Sequence, residues 1–340
     1  MSSHDRPIVP IHFGFDLEPE LPFPDAGADD ANWNTIPDAF KKAEAYRPLL
    51  EKATGHQVKF GWYPRFDPQC EATYGDARTI AHRYQREIAG VADKGDEIGL
   101  HIHVFDHEPE SGKPRMNYVR QDMIDEAVEM SLDIYKSEYG HIPDSVSMGN
   151  GYLDGHCLDL FEKAGVPFDV TLEMGLRRQP VARQHPDFPS MGERPDTILT
   201  PERPYRPAKD NFLKEAQGAN ARNLHIIPRS SHYRRDVGSL NYWKYAAFST
   251  VASAGRRSVP RATFHPHIDY TGKNLPGLID ETAGRLDPPN FLLTARNCGR
   301  GELIDAFFDA FISLSDRYDF RFVSVRELVE ITSEKRKQAA

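Results

Sequence analysis

Asp96-Glu97-Ile98-Gly99-Leu100-His101-Ile102-His103-Val104-Phe105-Asp106-His107-Glu108 alternates strictly in its first half. Ile98, Leu100 and Ile102 fall on one face, and Glu97, Gly99, His101 and His103 on the other. That is the period of a strand with one apolar side and one side carrying two imidazoles. A third histidine, His107, follows just past its end. Neutral imidazoles at such spacing are good ligands for a divalent transition ion. A polar strand face can also carry unrelated histidines, so the stretch has to be weighed with its surroundings.

The same alternation returns near the start of the chain. Over 8–16, Ile11, Phe13 and Phe15 take one side and His12, Gly14 and Asp16 the other, and the strand runs into Leu17-Glu18-Pro19-Glu20. Further strands are predicted over 58–62, around Val146, and over 168–172, 224–228, 262–269, 291–294 and 320–325. Helical spacing is predicted over 39–52, 77–94, 123–137, 158–164, 241–252, 275–286, 302–314 and 327–332. Between 174 and 220 the chain is rich in Pro, Arg and Gly with weak periodicity, as in a functional loop or an insertion. Arg177, Arg178, Arg183 and Arg194 lie in it, a suitable set for a lid over an anionic group.

Strands alternating with helices imply a mostly parallel sheet with helices outside. Seven or eight such units over 340 residues favour one α/β barrel domain, 1–340, over an open sheet. In a barrel the active site gathers at the C-terminal ends of the strands. Asp16 and Glu18, Arg65 and Asp67, the three histidines, Asn150, and His265 with His267 all fall at such ends. Each pair alone reads as structure, but together at equivalent positions they read as a site.

Composition narrows the function classes. With 39% hydrophobic and 27% charged residues the chain can bury a sizeable core under a charged surface. A net charge of -9 with no dominant basic patch argues against nucleic acid as a partner. Cys70, Cys157 and Cys298 are far apart with no CxxC, so neither a disulfide framework nor a thiolate zinc site is expected. No stretch approaches a membrane span and the first residues lack an apolar signal core, so a cytoplasmic location is the expectation.

Short motifs in order resemble the polysaccharide deacetylase (NodB-like, carbohydrate esterase family 4) superfamily over most of the chain. Phe15-Asp16-Leu17-Glu18 resembles the family's first motif, and Glu97-Ile98-Gly99-Leu100-His101 its second. Gly149-Asn150-Gly151-Tyr152 is similar to the third, and Phe168-Asp169-Val170-Thr171 to the short strand after it. Phe264-His265-Pro266-His267 resembles the late motif with the acid histidine, and Phe322-Val323-Ser324-Val325-Arg326-Glu327-Leu328 the closing strand and helix. The resemblance implies a distorted (β/α)7 barrel and metal-dependent hydrolysis of an N- or O-acetyl group on a sugar or polysaccharide precursor.

It also implies roles. Asp16 would be the catalytic base, and His265 or His267 the acid. Glu18 or Asp16, with two of His101, His103 and His107, would hold one divalent ion, zinc being expected. Arg65, Asp67, Asn150 and Tyr152 would bind substrate. The chain departs from the pattern in three places. Leu17 separates two acids that are normally adjacent. The histidines four apart are His103 and His107, although strand geometry favours His101 and His103 as the inward pair. The usual third-motif arginine is absent, leaving Arg65 to substitute. A related amide hydrolase acting on a non-sugar substrate and an inactive glycan-binding barrel are the alternative readings.

Overall fold

Strand β1 (Ile8–Leu17) is the centre of the fold. It pairs in parallel with β12 (Phe291–Arg296) along Ile11 to Asp16, with β2 (Gly61–Pro64) along Gly14 to Leu17, and with β13 (Asp319–Phe322) along Ile8 to Ile11. The computed structural model describes residues 6–18, 33–107, 114–116, 120–172, 201, 203–229, 231–232, 262–263, 275–285, 289–296 and 301–339. His265, His267, the four lid arginines, Cys298 and the helix predicted over 241–252 lie outside them.

The outer face of β1 carries Val9, Ile11, Phe13, Phe15 and Leu17 into a core made with α1 (Thr35–Thr54) and α8 (Gly301–Leu314). Phe15 stacks on Trp62 at 4.5 Å and Phe40 on Trp62 at 4.3 Å, while Phe13 meets Phe308 at 4.9 Å between ring centroids. Each such ring taken from water contributes about 1.5–3 kcal/mol. Alternation on β1 gives it one polar side, His12, Gly14 and Asp16. His12 and Asp16 on it are as buried as the phenylalanines, 1% and 2% exposed. Strands of a parallel sheet are covered on both faces, so polar residues on the inner one need partners.

Between these elements the chain runs through α2 (Pro68–Tyr74), α3 (Thr79–Arg83), α4 (Gln85–Ala92), β3 (Glu97–Ile98), β4 (Leu100–Ile102), β5 (Phe105–His107) and β6 (Pro114–Met116). Next come α5 (Gln121–Tyr139), β7 (Ser145–Met148), α6 (Gly155–Ala164), β8 (Phe168–Asp169), β9 (His225–Ile226), β10 (Ser231–His232), β11 (Ala262–Thr263) and α7 (Leu275–Arg285), with α9 (Val325–Ala339) last. A second parallel sheet has the order β4-β7-β8-β9 and rests on α5 and α6.

The histidine strand joins the two sheets. Its first part, β3, pairs with β2, and its second, β4, pairs with β7. The handover is at Gly99, whose N–H donates to Trp62 O at 2.8 Å, and a parallel bridge links Arg65 to His101. A methyl group at Gly99 would lie 2.3 Å from the Tyr63 ring, so only glycine lets β2 and β3 approach there. The single uninterrupted strand expected over 97–103 is therefore corrected to two.

The other differences are local. The helix expected over 77–94 is two helices, divided at Tyr84, which lies outside helical φ/ψ. Strand β2 begins at Gly61 rather than 58. Part of the expected insertion, 203–220, is irregular but held: Tyr205 exchanges both backbone bonds with Ile226, and its side chain is buried. The parallel α/β architecture expected from the sequence is present, and the described residues do not show its closure into the distorted (β/α)7 barrel. Among the described residues the series β12-β1-β2-β3, then β4-β7-β8-β9, is not closed by any strand pairing. Of the strand predicted over 262–269, Ala262–Thr263 is described, and it pairs antiparallel with β10. Among the described residues no helix is long and apolar enough to cross a membrane.

Candidate metal centre

Because β1, β2 and β4 are parallel and in register, their C-terminal ends deliver side chains to one place. Asp16 stands beside Tyr63 on β2, and Arg65, just past the end of β2, stands beside His101. His101 Nε2 lies 2.9 Å from His103 Nε2, and Glu18 Oε2 lies 3.1 Å from His103 Nε2 and 3.7 Å from His101 Nε2. All three residues are buried. A tetrahedral zinc ion with bonds of about 2.0–2.1 Å separates its ligand atoms by about 3.3 Å. The three observed edges bracket that length, and two imidazoles with a carboxylate are an ordinary zinc donor set, so the residues present fit such an ion.

The leucine that splits the acidic pair explains which acid belongs to the trio. Leu17 turns outward into the apolar core. Asp16 and Glu18 therefore share the inner side at successive inward positions. Glu18 reaches both histidines, whereas Asp16 Oδ1 stands 3.7 Å from His101 Nδ1, on the far side of that ring from Glu18.

Behind the histidines is a second layer that single motifs do not announce. Asp67 occupies the N-cap of α2, with Pro68 following, yet its carboxylate makes no cap bond. It accepts instead from Arg65 Nε at 2.8 Å, from Arg65 Nη2 at 2.9 Å and from the His103 N–H at 3.1 Å. Gln69 Oε1 takes another Arg65 bond at 2.6 Å, and Arg65 Nη1 is 3.7 Å from Glu18 Oε2. Asp67 thus gives up a helix cap to fix the arginine and the backbone of a candidate ligand together. Burial works against the Arg65 charge, but Asp67 and then Glu18 outweigh it and hold the guanidinium protonated.

His103 is shaped from two sides. Burial, and then the Arg65 charge, hold its imidazole below the usual histidine range, despite Glu18. The neutral ring, the form that ligates a metal, is favoured. Gly149 lies against the ring, and a methyl group there would sit 2.2 Å from Nδ1. The first glycine of Gly149-Asn150-Gly151-Tyr152 therefore makes room for a candidate ligand that follows another strand. Tyr152 donates to Asp154 Oδ2 at 2.6 Å, and Asp154 caps α6 by accepting from the Cys157 N–H. Asn150 lies in the turn Gly149–Gly151, and His107 ends β5, the next strand after β4. Their side chains, like His265 and His267, are not among the described groups.

A further polar set on the inner face of the sheets escapes a reading by motifs: His12, Tyr63, Glu97 and Ser145. The signal for it was the run of glycines at Gly14, Gly61 and Gly99, where any side chain would strike the rings of His12 or Tyr63.

No known family profile matches the chain, and no curated protein sequence does. Solved structures are similar to it at low identity. One is a candidate glycoside hydrolase/deacetylase from Parabacteroides distasonis, 14% identical, covering 98% of this chain and 72% of its own, with a TM-score of 0.53. A candidate polysaccharide deacetylase from Mycobacterium smegmatis is 15% identical over 99% of this chain and 94% of its own, with a TM-score of 0.49. Another from Pseudomonas aeruginosa is 12% identical over 95% and 90%, with a TM-score of 0.45. At these identities the likeness speaks of architecture alone. What this chain shares with the Parabacteroides distasonis structure is its fold.

Proposed function

We propose that this protein is a metal-dependent hydrolase that removes an N- or O-acetyl group from a sugar or glycan. The observation that carries the reading is the convergence of Glu18, His101 and His103, three residues from two strands, on one buried point at the strand ends. Zinc is the ion we assign to it, from the donor set. When bound, such an ion lowers the pKa of a water molecule and polarises a carbonyl.

The chain's own residues supply the rest. Asp16, close to the His101 ring but not part of the trio, holds the position of a general base, able to take a proton from the attacking water. Departure of an amine needs an acid, and the motif resemblance puts that role on His265 or His267. Arg65, fixed by Asp67, keeps a positive charge against Glu18 and orients its carboxylate. Asn150 and Tyr152 are proposed to border the groove that receives the sugar.

The test is an acetate-release screen over N- and O-acetylated sugars, with formamides and cyclic ureides alongside, on protein stripped of metal and then reloaded with zinc. Release from at least one sugar that depends on zinc supports the proposal. Turnover confined to the non-sugar amides would move the function to another amide hydrolase, and turnover of the stripped protein would remove the metal from it.

A further inference from the structure

Below the candidate metal centre lies a closed polar circuit. His12 Nε2 is 2.9 Å from the Tyr63 hydroxyl, and that hydroxyl is 3.0 Å from Ser145 Oγ. Ser145 Oγ bonds to Glu97 Oε1. Glu97 Oε2 accepts from the Val325 N–H at 2.7 Å, and His12 Nδ1 donates to the Val323 carbonyl at 3.0 Å. The circuit returns on itself through Val323-Ser324-Val325. It joins β1, β2, β3, β7 and the turn before α9. It is one layer deeper than the centre: His12 precedes Asp16 by four residues on β1, about 13 Å of extended chain. None of its four side chains is more than 9% exposed.

Counting protons around the circuit restricts its states. A carbonyl only accepts, so His12 Nδ1 carries a hydrogen. Three contacts remain between His12, Tyr63, Ser145 and Glu97, and each needs one hydrogen. The two hydroxyls bring two. The third comes either from an imidazolium at His12 or from a carboxylic acid at Glu97. The two forms hold the same number of protons and interconvert by three hops. Glu97 gives its proton to Ser145, Ser145 to Tyr63, and Tyr63 to His12 Nε2. A neutral His12 with an ionised Glu97 leaves one contact without a hydrogen, a costly fault in a buried site.

We propose that His12, Tyr63, Ser145 and Glu97 form a single proton-holding relay, in its charge-separated form, with an imidazolium at His12 and a carboxylate at Glu97. The ends of the circuit favour that form, since a backbone carbonyl faces the cation and a backbone N–H faces the anion. The space for it is built in. A methyl group at Gly61 would lie 2.5 Å from His12 Nε2, and one at Gly14 or Gly99 would lie 2.7 or 2.3 Å from the Tyr63 ring. The Tyr63 phenol is held far above its usual range by burial, then by the Glu97 charge, and partly relieved by Arg229, so it passes a proton on without losing its own. Asp16 is the other charged group felt there. The relay is independent of what the centre above hydrolyses.

Glu97→Gln tests it without opening a cavity. The amide can accept from Val325 and donate to Ser145, which keeps every contact and forces His12 into the neutral form with its hydrogen on Nδ1. Imidazole 15N spectra of the full chain at neutral pH are expected to show His12 protonated on both nitrogens in the wild type and on Nδ1 alone in Glu97→Gln. Tyr63→Phe, which cuts the relay in the middle, is expected to abolish the doubly protonated form as well. A neutral His12 in the wild type, or a doubly protonated one that persists in either variant, overturns the proposal.

Discussion

Two buried polar groups share the interior of this fold, a layer apart, and they differ in one respect. In the circuit of His12, Tyr63, Ser145 and Glu97, each contact joins a group able to donate to one able to accept, and its own protons suffice. At the strand ends, two imidazole nitrogens and a carboxylate oxygen lie 2.9, 3.1 and 3.7 Å from one another. With both Nε2 atoms in the unprotonated form that ligates a metal, these three atoms would turn lone pairs towards one another, an arrangement that a cation satisfies. Burial of polar side chains therefore does not identify a site by itself. The donor and acceptor count does.

The most severe way to break this distinction is to remove a ligand. His101→Ala and His103→Ala are each expected to lose the bound ion and with it all measurable activity, while Tyr63→Phe keeps the ion. Elemental analysis of protein purified without chelators reads this directly, and equal metal in all of them would erase the difference between the two layers.

Asp16→Asn separates the base from the ligands. It is expected to retain its metal and to lose about 10²–10⁴-fold in rate, the usual worth of a general base. Loss of metal in this variant would instead place Asp16 among the ligands and move the base elsewhere.

A pair of glycine substitutions sharpens the contrast further. Gly149→Ala crowds the His103 ring, and Gly99→Ala crowds Tyr63. Each overpacks the interior at a cost of about 1–3 kcal/mol. Only the first should weaken metal binding, by about 10–100-fold, as disturbance of a ligand's support commonly does. Titration with zinc and thermal melts on both variants distinguish the layers; an equal loss of affinity in the two would merge them.

The smallest effect expected is a pH slope. Asp169, fully buried, has its carboxyl pushed up to about 7, mainly by burial, against the bonds it receives from Thr171 and the nearby Arg229 charge. Its folded state holds the proton more tightly than the unfolded chain. Its contribution to stability is thus complete below about pH 4 and is lost as the pH rises to about 7. Asp169→Asn, a mimic of the neutral acid, should remove at most one proton's worth of slope, about 1.4 kcal/mol per pH unit. Parallel stability curves for the wild type and Asp169→Asn between pH 4 and 7 would show that the carboxyl is not raised.

Much of this was written in local patterns. Period-two alternation placed β1 and the histidine strand, and put His101 with His103 on one face, because side-chain direction in a strand depends only on parity. Helical spacing found α5, α6 and α8 within a few residues of their ends. Local patterns were silent where a neighbour decides. Gly99 looks like any inward glycine until Tyr63 comes across from β2, and Tyr84 divides a helix that its spacing would continue. Asp67 reads as a helix cap until Arg65 and the His103 N–H claim its carboxylate.

By itself, then, the chain determined the class of fold, the elements that carry the chemistry and the candidate ligands, since these follow from periodicity and residue type. The tertiary structure decided that Glu18 and not Asp16 faces both histidines, that His103 depends on Gly149, and that four polar residues from four strands close a circuit. Those facts are distances between segments from 46 to 311 positions apart, such as Gly149 with His103 and His12 with Val323. The register of parallel strands brings such segments together, and no window along the chain contains it.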